Sequence, residues 1–153
     1  METTPGLRRP VPDVCRILCC NVWGLAGNLS DLTVASSQYD ILLCGDFGLR
    51  YASHVGIAGS RFWTPCLVVS GQDAYGPWDG AYVRDEYGVF RKPKFECGCE
   101  MLVFRVCGVR QNLYVYSLYR NPDLDDRIFD CLLASMAAVQ AEDVRASFLF
   151  GVI

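Results

Sequence analysis

Arg16-Ile-Leu-Cys-Cys-Asn21 and Tyr39-Asp-Ile-Leu-Leu-Cys44 are the stretches whose reading decides how this chain folds. Each is a short apolar run. The first is closed by Asn21 and Gly24, the second by Gly45. Runs of this length, bounded by turn-formers, read as buried strands rather than helices. Between them, Asn28 or Ser30 is placed to cap a short helix that reaches Gln38. Strand, helix and strand over this distance predict a compact βαβ unit and, with it, an α/β fold.

Downstream, Glu100-Met-Leu-Val-Phe-Arg-Val106 and Asn112-Leu-Tyr-Val-Tyr-Ser-Leu-Tyr119 read as strands joined through Gly108 in a hairpin. Ala81-Tyr-Val-Arg84 begins the ordered region before them. Asn121-Pro122-Asp123 stops the second hairpin strand and opens a helix. Asp123, Asp125 and Asp126 crowd its first turn, where the helix dipole favours negative charge. Leu124, Ile128, Leu132, Met136 and Val139 then fall on one apolar stripe. Ser147-Phe-Leu-Phe150 starts a further buried strand. Residues 1–13, with Pro5, Pro10, Pro12 and the pair Arg8-Arg9, read as a loose leader, leaving residues 14–153 as one domain.

The composition narrows the function classes. At 153 residues and 52% hydrophobic, the chain suits a single packed domain and excludes general disorder. A net charge of −3 excludes a global positive field, so recognition of an anionic polymer requires a local patch or a bound cation. The nine cysteines, an odd number mostly inside apolar runs, do not read as a disulfide framework. The first ten residues lack the apolar segment of a signal peptide, and no apolar stretch is long enough for a membrane span. These features predict free thiols in a reducing, intracellular setting, nucleus or cytoplasm, without secretion or a membrane partner.

Asn21 ends one strand, and Asp46 lies just beyond the end of the next. α/β sheets place ligands at the carboxyl ends of neighbouring strands, and an amide with a carboxylate there offers oxygen ligands to hydrated Mg²⁺. The competing reading is that both residues simply terminate strands.

Three segments together carry a family resemblance: Ile17-Leu-Cys-Cys-Asn-Val-Trp-Gly-Leu25, Tyr39-Asp-Ile-Leu-Leu-Cys44 and Tyr114-Val-Tyr-Ser-Leu-Tyr-Arg-Asn-Pro122. In this order they resemble the endonuclease/exonuclease/phosphatase family, and most of all the endonuclease domain of jockey-like non-LTR retrotransposon reverse transcriptases. The resemblance covers residues 16–46 and 81–150. It implies a four-layer α/β sandwich, Mg²⁺-dependent cleavage of phosphodiesters and DNA as the partner. Asn21 matches the strand-end asparagine that orients the metal site. Asp46 stands where the family has its metal-binding glutamate, one methylene shorter, and Gly45 replaces a small polar residue before it. Tyr119 matches the tyrosine near the scissile phosphate, and Arg120 and Asn121 extend that motif. The resemblance thus implies Asn21 and Tyr119 as catalytic residues and Asp46 with Asn21 as metal ligands.

The family continues the Phe148–Phe150 strand into Gly-Asp-x-Asn, whereas here Val152 and Ile153 follow Gly151. The later Ser-Asp-His segment has no counterpart either. Metal-assisted hydrolysis needs nucleophile activation together with charge stabilisation. The expectation is therefore an incomplete sandwich, a truncated retrotransposon endonuclease fragment that is inactive as it stands. Two alternatives remain: an active Mg²⁺-dependent nuclease completed by further sequence, or a non-catalytic interaction module. The incomplete sandwich also predicts an inner sheet face without a partner sheet, and self-association through it.

Other candidates are weaker. His54, the only histidine, matches neither family histidine and reads as a solvated loop residue. Cys97, Cys99 and Cys107 lack the spacing of a zinc knuckle. Arg91-Lys-Pro-Lys94 is the one local basic cluster, a solvated turn or a phosphate contact.

Residues 47–80 break the pattern, with six glycines and with Trp63, Pro65, Pro77 and Trp78 scattered among them. Only Cys66-Leu-Val-Val69 reads as a strand, and irregular segments this long are uncommon in small domains. A shifted reading frame accounts for this. With suitable codons, Val69–Gly80 read one base later ends in Arg-Gly-Met-Ala, leading into Ala81-Tyr-Val-Arg84 as a family-like strand. Limited proteolysis is then expected to begin near Arg50 or Arg61.

Overall fold

The first strand, β1 (Ile17–Asn21), lies parallel to β2 (Ile41–Gly45), with helix α1 (Leu25–Ser36) crossing between them, as the βαβ reading requires. The computed structural model describes residues 8–10, 12, 14–22, 25–45, 56–63, 79–96, 101–108, 111–118 and 127–152. The amino ends of the pair are clipped together. The Arg16 amide donates to the Asp40 carboxylate at 2.7 Å, and the Asp40 amide donates to the Arg16 carbonyl at 2.8 Å. Asp40 is buried, and Arg84 stands 3.8 Å from its carboxylate. Helix α1 starts earlier than its expected caps, and Asn28 serves differently. Its side-chain amide donates to the Val22 carbonyl at 2.8 Å, tying the helix to the strand exit.

Two more strands, β3 (Ser60–Trp63) and β4 (Asp79–Arg84), complete the first sheet in the order β1-β2-β4-β3. Strand β3 falls inside the stretch that shows no periodicity, away from the expected Cys66–Val69, which lies outside the described residues. Pairing with β4 holds it in place: Phe62 lies against Tyr82 with ring centroids 4.6 Å apart. Arg61 is anchored too. Its guanidinium donates to the carbonyls of Val89 at 3.0 Å, Tyr87 at 2.9 Å and Arg84 at 3.3 Å. That geometry favours protection of Arg61 over early cleavage there, and Arg50 lies outside the described residues.

The second sheet runs β5 (Val89–Arg91), β6 (Met101–Cys107), β7 (Asn112–Leu118) and β8 (Ser147–Val152), in that order. Strands β6 and β7 form the expected hairpin, with Cys107 opposite Asn112. A side chain at Gly108 would run into the Gln111 carbonyl, so the turn demands glycine there. Strand β8 returns parallel to β7 after helix α2 (Arg127–Glu142). Leu124 lies outside the described residues, but Ile128, Leu132, Met136 and Val139 pack on the sheet as their stripe predicts.

Period-two alternation divides each strand between two faces. Ile41, Leu43, Val83, Leu102, Phe104, Val106 and Val115 all point between the sheets and are no more than 1% exposed. Trp63 stacks on Phe104 across the gap at 5.2 Å. Burying one such side chain contributes about 1.5–3 kcal/mol, so this layer is the main hydrophobic core. On the outer faces, α1 covers Leu42, Cys44 and Tyr82, and α2 covers Met101, Val103, Tyr114 and Tyr116. The Ser135 hydroxyl of α2 is buried and satisfied, donating to the Phe95 carbonyl at 2.6 Å and meeting the Tyr116 hydroxyl at 2.8 Å. The arrangement is a four-layer α/β/β/α sandwich. It corrects the expected inner face without a partner: the two sheets cover each other.

Candidate active site at the carboxyl ends of the parallel strands

Both sheets contain one parallel pair, β1–β2 and β7–β8, and the packing shows which way each points. Tyr87, beside the start of β5, lies close to Asp40, which precedes β2, and shares the inter-sheet cluster with Ile41. Val89 pairs with Val106, and Val106 with Leu113, so this contact is level with the beginning of β7. Further along, a Cβ at Gly151 of β8 would lie 2.9 Å from Leu43 Cδ1 and 3.1 Å from Cys19 Sγ. The starts of the two pairs therefore adjoin, and so do their later residues. All four carboxyl ends emerge at one end of the sandwich.

Asn21 is the last residue of β1, exposed at that end and in register with Gly45, the last residue of β2. The Val22 amide donates to the Gly45 carbonyl at 2.9 Å, and the Val22 carbonyl accepts from Asn28. These bonds fix the backbone just after Asn21. Asp46 follows Gly45 in the sequence, and Tyr119 follows Leu118, the last residue of β7; both lie outside the described residues, as do Arg120 and Asn121. The structure thus brings the ends of β1, β2 and β7 together and leaves the side chains of Asp46 and Tyr119 undescribed. The backbone of Asp79, first residue of β4, is in register with Gly45 at the same end. No pattern in the surrounding sequence singled it out, because its placement depends on pairing with β2.

The other candidates separate clearly. His54, Cys97 and Cys99 lie outside the described residues, and Cys107 is half-buried at the hairpin beside Gly88. Among the described residues, no group of three His, Cys, Asp or Glu side chains gathers to hold a metal ion. Two charges of the basic cluster are paired. Arg91 makes a two-pronged contact with Glu96, both distances 2.9 Å, and Lys94 meets Glu142 at 2.7 Å. A phosphate contact at Arg91 or Lys94 has to displace these carboxylates. The thiols of Cys15, Cys19, Cys20, Cys44 and Cys107 are in no disulfide. Cys20 and Cys44 lie 3.9 Å apart just behind the strand ends. Contact with the Cys44 thiol lowers Cys20 to about 7, while the same contact and burial push Cys44 up. No described helix is long and apolar enough to cross a membrane.

No family profile and no curated protein matches the chain at the level of sequence. Solved structures do match. The endonuclease domain of TRAS1, a telomere-specific non-LTR retrotransposon, superposes with a TM-score of 0.63 at 18% identity, over 90% of this chain and 59% of that one. TDP2 from D. rerio, solved with a single-strand DNA product, gives 0.52 at 16% identity over 89% and 58%. The AP endonuclease LMAP from Leishmania major gives 0.50 at 15% identity over 83% and 46%. The chain therefore spans about three-fifths of the length of the TRAS1 domain. Its two facing sheets with outer helices are an α/β sandwich of the endonuclease/exonuclease/phosphatase type.

Proposed function

We propose that this chain is a portion of a DNA endonuclease domain of the non-LTR retrotransposon kind, and that the 153-residue polypeptide alone does not cleave DNA. The observation that carries the reading is the convergence of β1, β2 and β7 at one end of the sandwich. The motif residues Asn21, Asp46 and Tyr119 end or directly follow those strands. Fold likeness to the TRAS1 endonuclease domain supports it.

Asn21 and Asp46 are the residues that would hold Mg²⁺. An amide and a carboxylate oxygen suit a hard cation that keeps several of its waters. The described residues do not complete such a site, since no cluster of three acidic, histidine or cysteine side chains forms. When bound, the ion supplies charge neutralisation at a phosphate. Tyr119 would position that phosphate. Water activation and stabilisation of the pentacovalent charge fall to the Gly-Asp-x-Asn and Ser-Asp-His motifs, and neither occurs in this sequence.

The test is incubation of the purified chain with supercoiled plasmid and Mg²⁺. The expected result is intact plasmid. Nicking that depends on Mg²⁺ and disappears in Asp46→Ala would overturn the inactivity and support a working nuclease.

A further inference from the structure

Two thiols that the proposed chemistry leaves unused sit directly behind the strand ends. Cys20 and Cys44 are register partners on the parallel pair β1–β2, and both pack into the cluster beneath α1. Their sulfurs are 3.9 Å apart. Cys19 alternates to the opposite face, beside Gly151, so the strand itself keeps it away from Cys44. Neighbouring strands lie about 4.8 Å apart. That spacing is within the roughly 4.4–6.8 Å between Cα atoms that a disulfide spans. Bond formation here needs side-chain rotation and no re-pairing of strands.

We propose that Cys20 and Cys44 form an oxidisable thiol pair, which a low-molecular-weight disulfide such as oxidised glutathione converts into a cross-link between β1 and β2. Cys20 is half-exposed and Cys44 is buried, so Cys20 meets the reagent first. Its thiolate attacks one sulfur of oxidised glutathione, breaks that S–S bond and releases one glutathione thiolate. Cys44 then gives up its proton and attacks the Cys20 sulfur. The Cys20–Cys44 bond forms, the mixed disulfide breaks and the second glutathione leaves. Two electrons pass from the protein thiols to the reagent, and the two thiol protons end on the two released glutathiones.

The cross-link lies one residue before Asn21 and two before Asp46. It therefore fixes the relative position of the two strand ends that frame the candidate site. This consequence rests on the proposed function; the cross-link itself does not.

The experiment treats the full chain with oxidised glutathione, blocks remaining thiols by alkylation under denaturing conditions, and maps peptides by mass spectrometry. The expected product is an intramolecular Cys20–Cys44 peptide pair in most molecules, reversed by dithiothreitol and retained in Cys19→Ser. Cys20→Ser should abolish it; if that variant does not fold, the map of the unaltered chain decides. Recovery of Cys20 and Cys44 mainly as separate alkylated or glutathionylated peptides overturns the proposal, as does a bridge that uses Cys19 instead. Plasmid nicking is read on separate aliquots, so failure of the nuclease reading leaves this result standing, and the reverse.

Discussion

Gly151→Ala tests the packing that brings the two parallel pairs together. Gly151 is buried in β8, where an added methyl would lie 2.9 Å from Leu43 Cδ1 and 3.1 Å from Cys19 Sγ. Cys19 is exposed and turns its thiol away at little cost. Leu43 is 1% exposed and enclosed by the inter-sheet core, so its methyl has nowhere to go. Carbon atoms in good contact sit about 3.5–4.0 Å apart, so the sheets or Leu43 must yield by roughly 0.6–1.1 Å. Overpacking of this kind costs about 1–3 kcal/mol. Alanine recovers about 0.5–1 kcal/mol of the conformational entropy that glycine loses in a strand. The net loss is about 0–2.5 kcal/mol, or a fall in Tm of up to about 10 °C for a domain of this size. Urea unfolding should show a lower midpoint with an unchanged m-value. The same substitution in a Leu43→Val background should cost less, because the shortened side chain makes room. Equal costs in the two backgrounds, or a more stable Gly151→Ala protein, would refute the face-to-face packing at this point.

Two other predictions concern the surface. Arg61 should resist trypsin until the domain unfolds globally, because three backbone carbonyls hold its guanidinium. Arg61→Met should then lower stability by about 2–3 kcal/mol in urea titration, the scale for losing hydrogen bonds from a charged group, and early cleavage at Arg61 would contradict this. Strand β8 forms one edge of its sheet, carries no charged residue and leaves Leu149 and Phe150 each 40% exposed. Uncharged apolar edges pair with other strands, so the chain should self-associate in a concentration-dependent way by light scattering, and Phe150→Lys should weaken it. A monomer at every concentration would exclude the edge as an association surface.

The elements that sequence alone determined are those built from local pattern. The apolar runs at Ile17–Asn21 and Ile41–Cys44 are too short for buried helices and are bounded by turn-formers, so they read as strands within an α/β fold. The apolar runs Met101–Cys107 and Asn112–Leu118, joined through Gly108, and the helical stripe Ile128–Val139 are likewise local signals. The placement of Asn21 at a strand end follows from the same reading. Tertiary structure decided the rest, because it depends on contacts between residues far apart in sequence. Ser60–Trp63 is a strand only because β4 supplies its hydrogen-bond partners, and the carbonyls that take the Arg61 guanidinium are more than twenty residues away. The Arg91–Lys94 cluster looked like a basic patch until the fold brought Glu142 to Lys94. The inner faces looked unpartnered because a strand's sequence states that a face is apolar, not which surface covers it. Here each sheet covers the other, with Gly151 against Leu43 and Trp63 on Phe104, and that contact carries the strand ends of the candidate site to one side of the molecule.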